Sequence, residues 1–369
     1  MPKDNQTTRA PAVEVQGLAK HYGSVVALKD VNLRIEAGEY FVLLGPSGGG
    51  KTTLLRTIGG FHKPTKGRVM LHGQDVGHLP PDKRPTSMVF QSYALFPHMN
   101  VLQNVGYGLK IAGLPKAEIN EQGAAALDLV GLTGFADRKP HELSGGQQQR
   151  VQLARAMVLK RDVLLLDEPL AALDAQLRKD MCLELKHLQE KVGITFIHVT
   201  HNQEEAMTVA DRIALIADGE LMEHGAARQI YRAPVRRFTA EFVGENNMLS
   251  GRVVDITDDR VTVDIGGSET VKVDARGQTV GLGDAVSVSI RSELTRMDLD
   301  GTAGAQPGHS LRGTYTEAVY LGLTTSHMIA VGEGQTLVSR VVDDLDTQAT
   351  PGSKLRLFWS AGAMRLHTN

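Results

Sequence analysis

The 369 residues carry 40 Lys and Arg against 42 Asp and Glu, a formal net charge of −2 that exerts no global pull toward nucleic acid or anionic membrane. A single cysteine, Cys182, excludes an internal disulfide framework and suits a reducing compartment. Hydrophobic residues at 41% and charged residues at 22% are those of a soluble globular chain, long enough for two domains.

Residues 1–11 are expected to be a flexible polar tail without a signal-peptide core. No uncharged apolar run approaches the roughly 18–20 residues of a membrane span. The runs VEVQGL, VVALKDVNLRIEAG and EYFVLLG read as strands leading to GPSGGGKT at 45–52 and a helix from Lys51 to Gly59. Residues 92–158 read as mostly helical, with turns at Gly113-Leu114-Pro115 and Lys139-Pro140. Val151, Ala154, Met157 and Val158 would form the apolar face of the last helix there. Val163 to Leu166 is an apolar run suited to a parallel strand buried on both faces. Residues 174–191 read as a helix with Leu177, Met181, Leu185 and Leu188 on one side. The strand Ile194 to Thr200 and an Asn202-x-x-Glu205 capping box follow. This alternation predicts an α/β domain with a mainly parallel sheet over 12–243. Across 232–250 the pattern changes, and residues 244–369 read as an all-β domain of short alternating strands such as AVSVSIR and KLRLFW. Within it, RVVDITDDRVTVDIGG and RGTYTEAVYLGLTTSHMIAVG share a rhythm that suggests an internal repeat.

Gly45 to Thr52 matches G-x-x-x-x-G-K-(S/T) between an apolar strand and a helix, where backbone amides and the helix start can cradle phosphate. Lys51 would reach the β- and γ-phosphates and the Thr52 hydroxyl would ligate Mg²⁺. Asp167 ends the buried strand of LLLDEP, where open α/β sheets bind ligands, and would hold the same ion through water. Glu168 beside it would polarise a water toward the γ-phosphate. His201, at the end of its own strand, is expected to contact the γ-phosphate, whereas His198 is expected to pack. Gln91, after another strand-like segment, would be a ligand of Mg²⁺ or of the water.

LSGGQQQR at 143–150 poses a separate question. Ser144 and Gln147 fit a capping box, but Gly145 and Gly146 would then occupy the first helical turn, where Gly is unfavourable by up to about 1 kcal/mol relative to Ala. Two glycines there make sense if something approaches that backbone closely.

The ordered set Tyr22, GPSGGGKT, Gln91, LSGGQ, LLLDEP, Leu173-Asp174 and His201 resembles the ATPase subunit of ABC importers over roughly 13–240, and 245–369 resembles their appended OB-like barrel. The resemblance implies a P-loop NTPase with a helical subdomain, binding ATP and Mg²⁺. It implies contacts to nucleotide from Tyr22, which stacks on adenine, and from Gly45, Ser47, Gly48, Gly49, Gly50, Lys51, Thr52 and Thr53. Ser144, Gly145, Gly146 and Gln147 would close on ATP held by a second copy, and Asp174 would cross the interface of that head-to-tail dimer. Gly49, where relatives often carry Ser or Cys, is expected to add flexibility, and Ala171-Ala172 to loosen one cross-dimer hydrogen bond. The segment 92–97 would receive the coupling helix of two membrane permease subunits, with Tyr93 and Phe96 as exposed anchors. An extracytoplasmic solute-binding protein would act indirectly, and the chain would sit peripherally on the cytoplasmic face of the inner membrane.

A P-loop GTPase is disfavoured because no Asn-Lys-x-Asp motif occurs. ABC ATPases acting on nucleic acid usually insert a coiled coil or metal module before the signature, whereas residues 92–142 alone intervene here. The C-terminal 251–369 carries 11 Lys and Arg against 15 Asp and Glu, a balance of −4 that suits phosphate backbones poorly, so no nucleic-acid partner is expected. The sequence is most similar to polyamine-import ATPases. Ferric-iron, phosphonate, sulfate and sugar importers share the framework, so the cargo stays open among them.

Overall fold

The computed structural model describes residues 10–92, 94–266, 269–299, 309–332, 334–342, 349–360 and 362–368. Most of the expected tail and Tyr93 lie outside the described residues. The chain packs as two units, Met1–Arg228 and Gln229–Asn369.

The first unit runs β1 (Val13–Tyr22), β2 (Val25–Ile35), β3 (Tyr40–Leu44), α1 (Lys51–Ile58), β4 (Lys66–Leu71), β5 (Gln74–Asp75) and β6 (Thr86–Val89). There follow α2 (Val101–Ile111), α3 (Lys116–Leu129), α4 (Gly145–Met157), β7 (Val163–Asp167), α5 (Ala175–Val192), β8 (Thr195–Thr200), α6 (Gln203–Val209), β9 (Arg212–Ala217) and β10 (Glu220–Ala226). None of the helices among the described residues is long and apolar enough to cross a membrane.

YFVLL, VLLLD and TFIHVT are buried at every position, so β3, β7 and β8 are covered on both faces, as parallel strands flanked by helices must be. The resulting sheet has the order β10-β9-β3-β8-β7-β6, all parallel except the antiparallel edge strand β10. A second, antiparallel sheet has the order β2-β1-β4-β5. Chain order reverses around β3, which sits between β8 and β9. Such a switch point opens a crevice beyond the carboxyl ends of the strands. Val151, Ala154, Met157 and Val158 are all buried, as their spacing predicts.

The boundary falls within the short helix α7 (Ala227–Arg232), and in the second unit α8 (Arg237–Phe242) precedes β11 (Asn246–Thr257), β12 (Arg260–Asp264), β13 (Thr270–Asp274), β14 (Ala285–Arg291) and β15 (Arg296–Leu299). The chain continues as β16 (His309–Tyr320), β17 (Thr324–Val331), β18 (Gln335–Val342), β19 (Lys354–Trp359) and β20 (Met364–Thr368). The two antiparallel sheets have orders β13-β12-β11-β14-β20 and β15-β19-β16-β17-β18 and share one apolar core.

This topology is an internal repeat. In each half a long strand starts a three-stranded meander, and a fourth strand returns to the long strand's free edge. The fifth strands are exchanged: β15 follows β14 but pairs with β19, and β20 follows β19 but pairs with β14. Both long strands carry a bulge at matching places, between Val253 and Asp255 and between Tyr315 and Glu317. Each bulge lies two residues beyond a glycine that lets the neighbouring strand approach closely. A Cβ on Gly251 would come within 2.3 Å of the Asp264 carbonyl oxygen, and one on Gly313 within 2.3 Å of an Ile329 methyl.

The unit boundary falls at Arg228/Gln229, earlier than the 243/244 expected from the change in pattern. Arg291 on β14 explains the difference. Its guanidinium donates to the carbonyls of Val243 and Tyr231 and lies 3.9 Å from the Tyr231 ring centroid. The Tyr231 hydroxyl donates to Glu293 at 2.8 Å. Residues 229–243 therefore pack with strands that lie far along the sequence.

Candidate nucleotide site

The parallel strands deliver their next residues to one edge. Beyond β3 the chain enters the glycine loop, with Gly45, Gly48 and Gly50 at φ of 151°, 79° and 104°, in the left-handed region that glycine tolerates. A Cβ at Gly45 would lie 2.0 Å from the Ile216 carbonyl oxygen, so the loop is pressed against β9. Gly50 caps α1 with no side-chain hydrogen bond, whereas Asn100, Ser144, Asp174 and Asn202 cap α2, α4, α5 and α6. The first amides of α1 are thus without a side-chain partner at the positive end of the helix, the arrangement that binds phosphate. Ser47 and Gly48 are exposed at the loop tip, and Thr53 is half-buried in the first turn of α1.

The expected flexibility of Gly49 is not found. Its amide donates to the Pro46 carbonyl, its carbonyl accepts from Gly219, and a Cβ would lie 2.8 Å from the Ile216 oxygen. The residue is pinned, and the absence of a side chain serves packing.

Lys51 is buried and donates to the carbonyls of Gly45 at 2.8 Å and Pro46 at 2.7 Å, which holds its ammonium over the loop. Burial lowers its pKa, while Glu168 and Asp167 pull it back up. Thr52 donates to Asp167 at 2.9 Å, and Arg56, one turn further along α1, pairs with the other Asp167 oxygen at 3.1 Å. A hydroxyl and a carboxylate at this spacing suit a hard cation that takes its remaining ligands from phosphate and water, as Mg²⁺ does. Glu168 turns out of β7 at φ 47°, a left-handed conformation costly for a side-chain-bearing residue, with its amide donating to Val199 on β8 at 3.1 Å. Its carboxylate lies 3.4 Å from His201 Nδ1. The structure therefore brings Lys51, Thr52, Asp167, Glu168 and His201 into one cluster. His198 is buried against the Tyr40 hydroxyl at 3.1 Å, and burial pushes its pKa down to about 3.

Tyr22, Gln91, Asp174 and Ser144–Gln147 stand apart from that cluster; no hydrogen bond or ion pair among the described residues joins them to it. Tyr22 is 43% exposed, with its ring nearly perpendicular to that of His62 and the Lys20 ammonium 4.8 Å from its centroid. Asp174 is exposed and caps α5 through Leu177. Ser144 and Gln147 make the full capping box. At Gly146 an added Cβ would meet only Leu177 side-chain atoms, at 3.4 Å or more. Packing within the chain does not demand glycine there.

Gln91 is exposed, but its backbone is held. Gln152, buried on α4, donates to the carbonyls of Phe90 at 3.0 Å and Ser92 at 3.1 Å, on either side of it. Phe96 is not the exposed anchor expected. It packs 4.7 Å from Tyr107 and 4.5 Å from the Arg155 guanidinium, and Asn104 clamps its backbone. The Asn202 capping box is also only half made. Asn202 accepts from the Glu205 amide, but the Glu205 carboxylate turns away to Thr200.

Arg56, Gln152 and Glu205 were missed or misassigned from sequence. Helical spacing alone gives the Thr52–Arg56 pair; the other two depend on contacts between distant elements.

The ABC transporter family model matches residues 28–171 and the TOBE domain model residues 288–366. The chain is 45% identical to a spermidine/putrescine import ATP-binding protein PotA of Rubrobacter xylanophilus, over 96% of this chain and 93% of that one. It is 44% identical to the protein of the same name from Roseobacter denitrificans, over 97% and 98%. Among solved structures it is similar to the ATP-binding cassette MJ0796, a dimer in a post-hydrolysis state bound to ADP and Pi, with 35% identity and a TM-score of 0.53 over 58% of this chain and 99% of that one.

Proposed function

We propose that this chain, which belongs to the ABC transporter family of ATP-binding subunits, hydrolyses ATP to drive import of polyamines of the spermidine and putrescine class through separate membrane permease subunits. Near-full-length similarity to spermidine/putrescine import ATP-binding proteins carries the cargo. The cluster at the strand ends carries the chemistry.

The loop amides and Lys51 bind the β- and γ-phosphates, Glu168 activates the attacking water, and His201, beside Glu168, contacts the γ-phosphate. Thr52, Asp167 and Gln91 would hold Mg²⁺, which supplies charge neutralisation on the phosphate oxygens. Tyr22 stacks on adenine. Phosphoryl transfer of this kind is mainly positioning plus electrostatics, which suits a site built from strand ends and one helix terminus.

Ser144, Gly145, Gly146 and Gln147 serve the nucleotide of a second copy in a head-to-tail dimer, and Asp174 crosses the same interface. Gly146, which this chain's own packing does not require, supports that reading, as does the dimeric relative. Mixing tests it: Lys51→Ala and Ser144→Arg proteins, each inactive alone, regain hydrolysis when combined, because the mixed dimer has one intact site. No recovery refutes the shared site. Closure and opening of the dimer are passed to the permeases at the cytoplasmic face of the inner membrane, where the subunit sits peripherally. The solute-binding protein acts only through the permeases. The cargo test is uptake of labelled spermidine and putrescine in a strain lacking the gene, complemented with wild type or Glu168→Gln. Restoration by wild type alone supports the assignment; unchanged uptake in the deletion strain refutes the cargo and directs the same alleles to iron, phosphonate, sulfate and sugars.

A further inference from the structure

The Glu205 carboxylate, which leaves its own helix cap, sits where two functional turns approach one another. One of its oxygens accepts from Thr200 Oγ1 at 2.7 Å. The same hydroxyl oxygen accepts the Asn202 amide at 2.9 Å, so Thr200 bridges the turn whose middle residue is His201. The other Glu205 oxygen lies 3.5 Å from Arg178 Nε, an ion pair without a hydrogen bond at that nitrogen. Arg178 in turn donates through Nη2 to the carbonyl of Leu173 at 2.8 Å, the residue immediately before Asp174. Glu205 is buried, with a side-chain exposure of 6%, and Arg178 is 29% exposed. The oxygen that Thr200 holds also lies 3.6 Å from the Nε2 of His198, whose imidazole burial keeps neutral, so Arg178 is the one cation paired with this buried carboxylate and removing either disturbs the other.

We propose that Arg178 and Glu205 are positioning residues that lock the Asp174 turn to the His201 turn, so that the two move as one body. The path is continuous: Leu173 carbonyl, Arg178, Glu205, Thr200 hydroxyl, Asn202 amide, with His201 held between the last two and its ring beside Glu168. The capping role that the local spacing assigns to Glu205 is not the one it fills; its side chain spends its two oxygens on other elements. A contact made at Asp174 by an approaching copy is thereby felt at the γ-phosphate side of the site. This inference rests on the roles proposed above for His201 and Asp174.

The test compares hydrolysis and nucleotide binding in full-length Glu205→Gln, Arg178→Met and Thr200→Val proteins, with the double variant Arg178→Met/Glu205→Gln. Thr200→Val preserves strand shape and removes only the hydroxyl, so it reports even where a Glu205 variant folds poorly. Each single variant is expected to lower kcat at least about tenfold, because ångström-scale misplacement of catalytic groups costs up to about 10²-fold. KM for ATP and the Kd for a fluorescent ATP analogue should stay within about twofold, since the phosphate loop is untouched. The double variant should lose no more kcat than the worse single one, and Arg178→Lys should recover part of the rate. Wild-type kcat in the Thr200→Val and Arg178→Met proteins, or losses that multiply in the double variant, overturns the proposal. His201→Ala and Glu168→Gln run alongside. If these two keep full activity, the reading of the site itself has failed, whatever the linkage variants do.

Discussion

The two units place their strand ends differently. In the first, parallel strands all finish on the same side, so Gly45, Glu168 and His201 arrive at one edge from β3, β7 and β8. In the second, antiparallel neighbours finish on opposite sides, and its buried polar groups pair with one another, as His198 and Tyr40 do in the first. Asn247 bonds Thr295 and the Val338 backbone, Ser289 bonds His367, and the Tyr315 hydroxyl bonds His327. Strand direction thus decides whether strand ends gather at one edge of the sheet.

The comparison is broken most decisively at Glu168. Glu168→Gln should lower ATP hydrolysis by about 10²–10⁴-fold while leaving ATP binding intact, the range expected for a lost general base. Steady-state rates alongside equilibrium binding check it, and a rate within threefold or so of wild type would remove Glu168 from the role. Lys51→Ala should instead abolish nucleotide binding itself, measured by calorimetry, with unfolding of the second unit unaffected.

In the barrel the same logic predicts stability effects without catalytic ones. Gly313→Val places a side chain against Ile329 and the Ala330 carbonyl. It should destabilise the second unit by about 1–3 kcal/mol, as overpacking does, with the hydrolysis rate of the folded protein unchanged. Gly251→Val should do the same at the matching site of the repeat, and unequal losses would show that the two halves are not energetically equivalent.

The smallest effect is pH-dependent. His198 titrates at 6.5 when unfolded and at about 3 when folded, so the unfolded chain alone takes up this proton in between. Its contribution to stability is fully present above 6.5 and is lost as pH falls through that window. Glu205, raised by burial, acts in the opposite direction and lies 3.6 Å from His198 Nε2, so the difference between wild type and His198→Gln reads His198 together with its effect on Glu205. The variant should flatten the wild-type decline by at most about 1.4 kcal/mol per pH unit below 6.5. Denaturant midpoints between pH 7 and pH 5 would measure it, and parallel curves would show that His198 is protonated in the folded protein.

Much of the molecule was legible in its residue order. The phosphate loop, the LLLDEP strand end and the parallel sheet are local or periodic features: consecutive glycines, a run of apolar residues, alternating strand and helix. Asp167 and Glu168, and the glycine loop after β3, lie at the strand ends the pattern implied. The repeat in the second unit was audible as a rhythm because each half begins with a similar long strand. Its exchange of fifth strands could not be heard, since β15 and β20 are short and pair with strands outside their own half.

What tertiary structure alone decided are the contacts between elements distant in sequence. The glycine at 49 looked like freedom and is a packing constraint, because Ile216 comes from another strand. Phe96 looked like an exposed anchor and is covered by Tyr107 and Arg155 from α2 and α4. Glu205 fits a cap by spacing, yet its carboxylate is drawn to Thr200 and Arg178. Residue order sets which groups are available within a turn or a strand. Which of them meet across the fold is settled only when β3 takes its place between β8 and β9 and the helices close over the sheet, because hydrogen bonds and close packing act over a few ångströms of space, whatever the distance along the chain.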